Sequence, residues 1–182
     1  MTKVVLASSS PRRRELLSKL TDFSVIIPDA EEITEGKPED VAMKNAEAKG
    51  KSIVEDCDIV VACDTVVALD GRIYGKPLTE ERAKIMLTEL GGKTHEVISG
   101  VYLRFPDGEM TFCERSEVEL KRLTEEEIDG YIKRCSPLDK AGSYGIQDGE
   151  AVKNYRGDYD NIVGLPLSRI KDVFVEKGYA KE

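Results

Sequence analysis

The chain of 182 residues carries a formal net charge of −8, with 40% hydrophobic and 34% charged residues. This length predicts a single domain, residues 1–182, that is large enough to bury a core. The acidic balance argues against long nucleic acids, which bind basic surfaces, and no apolar stretch approaches the roughly 20 residues of a membrane helix. Four cysteines without a Cys-x-x-Cys pair, and no signal peptide, favour reduced thiols and a cytoplasmic location.

Strand and helix signals alternate through the first half of the chain. Apolar and β-branched runs predict strands over 3–7, 23–27, 58–63, 66–69 and 72–74. The last two strands are joined by Asp70-Gly71, which is typical of a type I′ hairpin turn. Periodicity and caps predict helices over 11–20, 38–54 and 79–90. Ser10 is the predicted N-cap of the first helix, and Gly91-Gly92 ends the third.

Two long alternating stretches follow, over residues 95–105 and 109–121. The turn residues Pro106-Asp107-Gly108 between them indicate an extended antiparallel hairpin. We expect this hairpin to protrude from the rest of the sheet.

The remainder of the chain predicts helices around a loop. Thr124 and Glu127 form a capping box for a helix that ends near residue 134. Residues 136–149 show little apolar periodicity and predict a functional loop. Residues 162–165 predict a last short strand, and Pro166 begins a last helix. The full pattern predicts an α/β fold, with flanking helices around a mixed twisted sheet.

The first candidate site lies where the first predicted strand leads into the first helix. Ser8 and Ser10 precede Arg12 and Arg13, which fall in the first helical turn. The helix dipole disfavours cations there, so two arginines are more easily explained if an anion sits over the helix end. Hydroxyls, free N–H groups and guanidinium forks suit phosphate oxygens. The alternative is an ordinary capped helix with solvated arginines.

Lys49 interrupts an apolar stripe of the second predicted helix. It shares that stripe with Ala42, Ala46 and Ile53, which should face the core. The lysine therefore either reaches into a polar cleft or extends its ammonium group to the edge of the core.

Asp64 and Thr65 follow a hydrophobic run, and we expect them at the carboxyl end of a strand. Catalytic acids of α/β enzymes occupy such ends, where Asp64 could hold a divalent cation or take a proton from water. The alternative is an Asp that forms a turn. Lys76 follows in a tight Gly-Lys-Pro turn.

The last candidate is a glycine-containing stretch, residues 139–147, which includes Gln147. Glycines allow close backbone approach to a ligand, and an amide offers the donor and acceptor that recognition of a base requires. A flexible surface loop is the alternative. His95 is the only histidine and is interpreted as structural, so no Ser/His/Asp triad is predicted.

Five segments resemble the Maf family of nucleotide pyrophosphatases and occur in that family's order. They are LASSSPRRRELL, ACDTVVALDGRIYGKP, LGGKTHEVISGV, PLDKAGSYGIQ and GDYDNIVGLPL, and the match covers nearly the whole chain. The resemblance implies an α/β fold with two lobes around a central cleft, similar to that of inosine triphosphatases. It also implies hydrolysis between the α- and β-phosphates of a nucleoside triphosphate, with a divalent cation such as Mg²⁺ or Mn²⁺.

The resemblance implies roles for individual residues. Asp64 falls where the family has its proton acceptor, and Arg12, Thr65 and Gln147 fall on positions linked to substrate choice. The other matched polar or charged cleft positions are Ser8, Ser10, Arg13, Glu32, Lys49 and Lys76. We expect the four cations Arg12, Arg13, Lys49 and Lys76 to hold the triphosphate, and Glu32 and Asp64 to anchor the divalent cation.

The Asp64-Thr65 pair resembles the branch of the family that acts on dTTP and UTP, with modified nucleotides as further candidate substrates. The branch that acts on 7-methyl-GTP typically has Asp followed by Gln, and that substrate is the nearest alternative. A nucleotide-binding regulator of cell division, an inhibitor of septum formation, is the alternative of a different class. The family resemblance also implies a homodimer.

Overall fold

A seven-stranded mixed sheet runs through the computed structural model, which describes residues 2–180. The strands are β1 (Val4–Ala7), β2 (Ser24–Ile26), β3 (Ile59–Leu69), β4 (Arg72–Tyr74), β5 (Thr94–Phe105), β6 (Gly108–Leu120) and β7 (Val152–Arg156). Their spatial order is β2-β1-β3-β5-β6-β7, with β4 paired to β3. β1 is parallel to β2 and β3, and all other pairs are antiparallel. The predicted α/β fold is confirmed.

Helices flank this sheet in the part of the chain that the structure describes. They are α1 (Pro11–Leu17), α2 (Pro38–Lys51), α3 (Glu80–Leu90), α4 (Glu125–Cys135), α5 (Tyr159–Val163) and α6 (Leu167–Glu176). Ser10 caps α1 by accepting a hydrogen bond from the Arg13 amide, and Thr124 and Glu127 form the predicted capping box of α4. None of the helices between residues 2 and 180 is long and apolar enough to cross a membrane.

β3 is one continuous strand, so the expectation that Asp64 stands at a strand end is wrong. One edge of β3 pairs with β5 from Val60 to Ala68, and this pairing carries the strand past Asp64. The other edge pairs with β1 only as far as Ala62, and with β4 only from Val67. Asp64 therefore lies at a gap in the sheet edge, between the end of β1 and β4.

The hairpin of β5 and β6 is confirmed, but it does not protrude. β5 lies between β3 and β6 near the middle of the sheet, because both of its edges are paired along most of its length. β7, which was not predicted, covers the outer edge of β6. Its residues are mostly exposed and polar, and so lack the apolar alternation by which strands are recognised.

The predicted strand over residues 162–165 is also wrong, because Ile162 and Val163 end helix α5. The Asp158 side chain caps this helix by accepting a hydrogen bond from the Asp160 amide. Gly164 ends it with φ +135°, a conformation that side chains with a Cβ disfavour. The signals at the two ends of the helix thus determine the structure of this short segment, although its β-branched residues favour a strand.

The hydrophobic core is divided into several groups of buried residues, and two of these groups are larger than the others. One group of buried residues packs one face of β1 and of the first part of β3 against α1 and α6, and includes Leu6, Leu17 and Phe174. Another packs α3 and α4 against the distal part of the sheet, and includes Leu87 and Ile132. β3 and β5 are long enough to take part in both groups, and the gap at Asp64 lies between them.

Candidate active site

A cavity of about 520 Å³ opens at the gap in the edge of β3. Nine of the ten predicted site residues line it: Ser10, Arg12, Arg13, Glu32, Lys49, Asp64, Thr65, Lys76 and Gln147. Ser8 does not. It is buried beneath the wall, where its hydroxyl accepts a hydrogen bond of 3.1 Å from the Ser10 amide and shapes the turn before α1. A direct contact of Ser8 with a ligand stays a prediction.

Asp64 and Thr65 point to opposite faces of the sheet, as consecutive strand residues must. Asp64 faces α2, where it meets Asn45 and Lys49. Thr65 faces the other side, where it accepts a hydrogen bond from Arg13. Both can line one cavity because β3 has no neighbouring strand at the gap between β1 and β4.

Lys49 joins the two carboxylates of the cavity. Its ammonium group lies 2.8 Å from Asp64 Oδ1 and 3.0 Å from Glu32 Oε1. The side chains of Lys49 and Asp64 are each 11% exposed, so this interaction is shielded from solvent. Of the two outcomes predicted for Lys49, the structure shows the polar cleft. The three charges sum to −1, which leaves the cluster able to attract a further cation.

Close packing of α2 on β5 brings Lys49 to Asp64. Gly100 lies opposite Asp64 in the pairing of β3 with β5. A Cβ atom at Gly100 would come within 2.2 Å of the backbone oxygen of Ala42 in α2. The absence of a side chain therefore lets the helix backbone rest directly on the sheet beside the acid.

Arg13 orients Thr65 and the turn after α5. Its Nε donates to the Gly164 carbonyl at 2.8 Å, and its Nη2 donates to Thr65 Oγ1 at 3.1 Å. Thr65 Oγ1 also lies 2.8 Å from the Ser99 hydroxyl. A guanidinium has five N–H donors, so Arg13 keeps donors for a ligand after making these bonds.

Arg12 links α1 to the far wall of the cavity. Its guanidinium lies 3.2 Å from Asp139, which belongs to a short 3₁₀ turn, Pro137–Asp139. Burial acts to raise the pKa of Asp139, but the hydrogen bond and charge of Arg12, together with the charge of Lys140 and a backbone hydrogen bond, keep that pKa below its usual value. Lys76, by contrast, is exposed and takes part in none of the ion pairs found among residues 2–180.

The stretch that carries Gln147 is anchored and largely buried, which overturns the alternative of a flexible surface loop. The Tyr131 hydroxyl donates to Asp148 at 2.6 Å and accepts from the Gly145 amide at 3.1 Å. Burial is the main cause that raises the pKa of Tyr131, and the hydrogen bond to Asp148 raises it further. The Tyr131 hydroxyl therefore stays a neutral donor. Gln147 itself is exposed towards the cavity, so its amide is available to a ligand.

His95 is buried, as its structural interpretation predicts. Its Nε2 lies 2.7 Å from the hydroxyl of Tyr144, which lines the cavity. Burial lowers the pKa of His95 to about 4 from an ordinary value of 6.5.

This pKa makes stability depend on pH. As the pH falls from 6.5 towards 4, the unfolded chain binds a proton at His95 that the folded protein does not, so the free energy of unfolding falls. Between about pH 7 and pH 5 we expect wild type to lose about 2 kcal/mol more than His95→Gln, which does not titrate there. Urea unfolding at both pH values measures this difference. Equal losses in the two proteins would show that His95 does not contribute.

Residues that the sequence did not single out complete the site. Asn45, Ser99 and Tyr131 all form hydrogen bonds to the lining residues or to their immediate neighbours. Only Asn45 had a usable signal, because it is a polar residue one helical turn before Lys49. The others are recognisable only once the chain is folded.

The two carboxylates of the cavity suit a divalent cation whose other ligands are phosphate oxygens. Among residues 2–180, no group of three or more His, Cys, Asp or Glu side chains is arranged to hold a metal. Glu32 and Asp64 are both available at Lys49. Mg²⁺ is commonly held by one or two carboxylates together with substrate phosphates and water, and Glu32 and Asp64 could supply the carboxylates of such a set.

The cavity has a second, apolar region. Its wall there is formed by Val67, Tyr74, Met86, Val97 and Ile162. An apolar surface suits a flat ring, whereas the arginines and lysines suit phosphates. The fold and the cavity are therefore those of an α/β protein whose cavity suits a phosphorylated small molecule with a ring.

Comparison with known proteins identifies the family. A family model described as "Maf-like protein" matches residues 3–176. The chain belongs to the Maf family.

Curated relatives are similar over almost their whole length. A protein of Bacillus cereus named dTTP/UTP pyrophosphatase is 47% identical over 177 residues that cover 93% of each chain. A protein of the same name from Bacillus thuringiensis subsp. konkukian is 46% identical with the same coverage. In a third, from a different strain of Bacillus cereus, 46% identity extends over 93% of this chain and 87% of the relative.

Proposed function

We propose that this protein hydrolyses dTTP and UTP to the nucleoside monophosphate and pyrophosphate. The similarity to relatives named dTTP/UTP pyrophosphatase, one of them 47% identical, supports this activity. The single structural observation that carries it is the buried Lys49 between Asp64 and Glu32, in a cavity that also contains Arg12 and Lys76. This arrangement sets a shielded acid beside cations suited to a triphosphate.

The cations bind the triphosphate in this proposal. Lys76 is exposed and unpaired with acids of the described residues, so it is ready to bind a phosphate. Arg12 exchanges its bond to Asp139 for phosphate oxygens, and Arg13 contributes the donors that Thr65 and Gly164 do not use. Fixed positive charges at these positions stabilise the charge that grows on the departing pyrophosphate.

Asp64 positions and deprotonates the attacking water. Its two oxygens accept hydrogen bonds from Lys49 and Asn45, and each oxygen keeps a lone pair for a water molecule. Glu32 and Asp64 would supply the carboxylate ligands of a divalent cation, Mg²⁺ or Mn²⁺. When bound, that cation neutralises phosphate charge and polarises the phosphate under attack.

Gln147 reads the base. Its free amide presents an acceptor to the imide N–H of thymine or uracil and a donor to a neighbouring carbonyl. Thr65 acts chiefly through Arg13, since its hydroxyl is engaged by Arg13 and Ser99. One methyl group separates the two bases, and an apolar pocket distinguishes such ligands by only about 1–3 kcal/mol. Hydrolysis of both nucleotides is the expected result.

A panel of dTTP, UTP, CTP, GTP and 7-methyl-GTP tests the proposal, each with Mg²⁺, with Mn²⁺ and with a chelator. We expect metal-dependent pyrophosphate release, with kcat/KM highest for dTTP and UTP. Preference for 7-methyl-GTP would assign the chain to the other branch. Nucleotide binding without release from any of the five would instead support a binding protein that regulates cell division.

Two further parts of the proposal concern the protein in the cell. We place the reaction in the cytoplasm, which four cysteines without disulfides favour. We also propose a homodimer, on the family resemblance alone. Light scattering on the purified chain measures the mass in solution, and a monomer at all concentrations would contradict that part.

A further inference from the structure

Asn45 is a buried polar residue at the centre of the site. It is 3% exposed and lies on α2, four residues before Lys49. Residues at this spacing lie on the same face of a helix, so Asn45 and Lys49 approach Asp64 together. Asn45 is not among the cleft positions that the family resemblance implies.

The Asn45 side chain holds the segment that carries Glu32. Its Oδ1 accepts from the Ile33 amide at 2.8 Å, and its Nδ2 donates to the Ile33 carbonyl at 2.9 Å. This pair fixes which way the amide points, because the backbone N–H needs an acceptor and the carbonyl needs a donor. Residues 27–34 form no helix or strand, so these bonds take the place of regular structure.

The same Nδ2 group donates its other hydrogen to Asp64 Oδ2, at 3.1 Å. Lys49 holds the other oxygen, Oδ1, at 2.8 Å. The carboxylate is therefore held at both oxygens by two residues of one helix, which fixes its plane and its direction.

We propose that Asn45 is a positioning residue that aligns Asp64 with the segment bearing Glu32. This inference rests on the proposed function, in which both acids act on the reacting phosphate. One amide group bonds to Asp64 and to the residue after Glu32, so it sets the two acids relative to each other. The polar atoms of Asn45 are all used by protein groups, so it acts through Asp64 and Glu32 rather than on the nucleotide.

Two substitutions separate positioning from space filling. Asn45→Ala removes all three hydrogen bonds and the volume of the side chain, whereas Asn45→Leu removes the same bonds but keeps the branched shape and adds no charge beside Asp64. Misplacement of a catalytic group by about 1 Å costs on the order of 100-fold in rate. We expect kcat for dTTP to fall about 10- to 100-fold in both variants, with KM within about threefold of wild type.

A second measurement does not depend on activity. Hydrogen exchange of the Ile33 amide, followed by NMR, reports the bond to Asn45 Oδ1 directly. We expect exchange to be about tenfold faster in Asn45→Ala than in wild type. If wild type releases no pyrophosphate, the proposed function fails, while this measurement still decides whether Asn45 holds the segment.

Ser116→Ala is the matched control. Ser116 is 2% exposed and forms buried hydrogen bonds with Asp158 and Asn161, but it does not line the cavity. We expect it to lower stability without the fall in kcat. Turnover of Asn45→Leu within twofold of wild type would overturn the proposal, since space filling would then suffice. So would unchanged exchange at Ile33 in Asn45→Ala.

Discussion

We expect Asp64→Asn to lower kcat for dTTP by about a thousandfold, which is within the range that removal of a general base produces. The substitution keeps the shape of the side chain but removes its charge and its ability to take a proton. It also leaves Lys49 paired with Glu32 alone, so the balance of charge in the cavity changes. Binding of the nucleotide should weaken less than turnover, because the cations that hold the phosphates remain.

Steady-state kinetics with dTTP measures this effect, and Asp70→Asn is the control variant. Asp70 lies at the tip of the β3–β4 hairpin with φ +51°, a conformation that Asn tolerates well. It receives the same chemical change outside the cavity. We expect Asp70→Asn to match wild type. An Asp64→Asn enzyme within tenfold of wild type would remove Asp64 from the centre of the mechanism.

Gly100→Ala should destabilise the protein by about 3 kcal/mol and abolish most activity with it. The added Cβ would lie 2.2 Å from the Ala42 oxygen, 2.3 Å from its carbonyl carbon and 2.5 Å from the Met43 nitrogen. These are backbone atoms, so relief requires α2 to move away from the sheet. That movement would carry Asn45 and Lys49 away from Asp64.

Urea unfolding and turnover below the transition measure both consequences. Gly75→Ala is the control for stability, because a Cβ there meets no atom within 4 Å and its φ is not positive. A Gly-to-Ala change at such a position is expected to stabilise by about 0.4–1 kcal/mol, through the unfolded state. If Gly100→Ala is as stable as wild type, the contact of α2 with β5 is not as close as described.

Local signals predicted much of the fold. The cap at Ser10, the capping box at Thr124 and the turn at Asp70-Gly71 depend on a few adjacent residues, and all are confirmed. The course of β3 depends instead on pairing with β5, some 35 residues later in the chain. The predicted strand stopped short of Asp64 because the sequence does not show which strand lies alongside.

The candidate site shows the same division. Lys49 was recognisable because a charge interrupts an apolar stripe, and Asp64 because it follows a buried run. Tyr131 lies on α4, yet its hydroxyl anchors Gly145 and Asp148 beside Gln147. Such a residue looks like ordinary core in the sequence. Its role depends on where the 3₁₀ turns of residues 137–148 pack, which only the folded chain determines.

The products formed from dTTP show which phosphate bond the protein cleaves. Purified protein, dTTP and Mg²⁺ are followed by ³¹P NMR, with Asp64→Asn beside wild type. The mechanism proposed here predicts dTMP and pyrophosphate in equal amounts from wild type, without accumulation of dTDP, and negligible conversion by the variant. Release of dTDP and inorganic phosphate would show cleavage at the terminal phosphate, and would contradict the assignment of this cavity to pyrophosphate release.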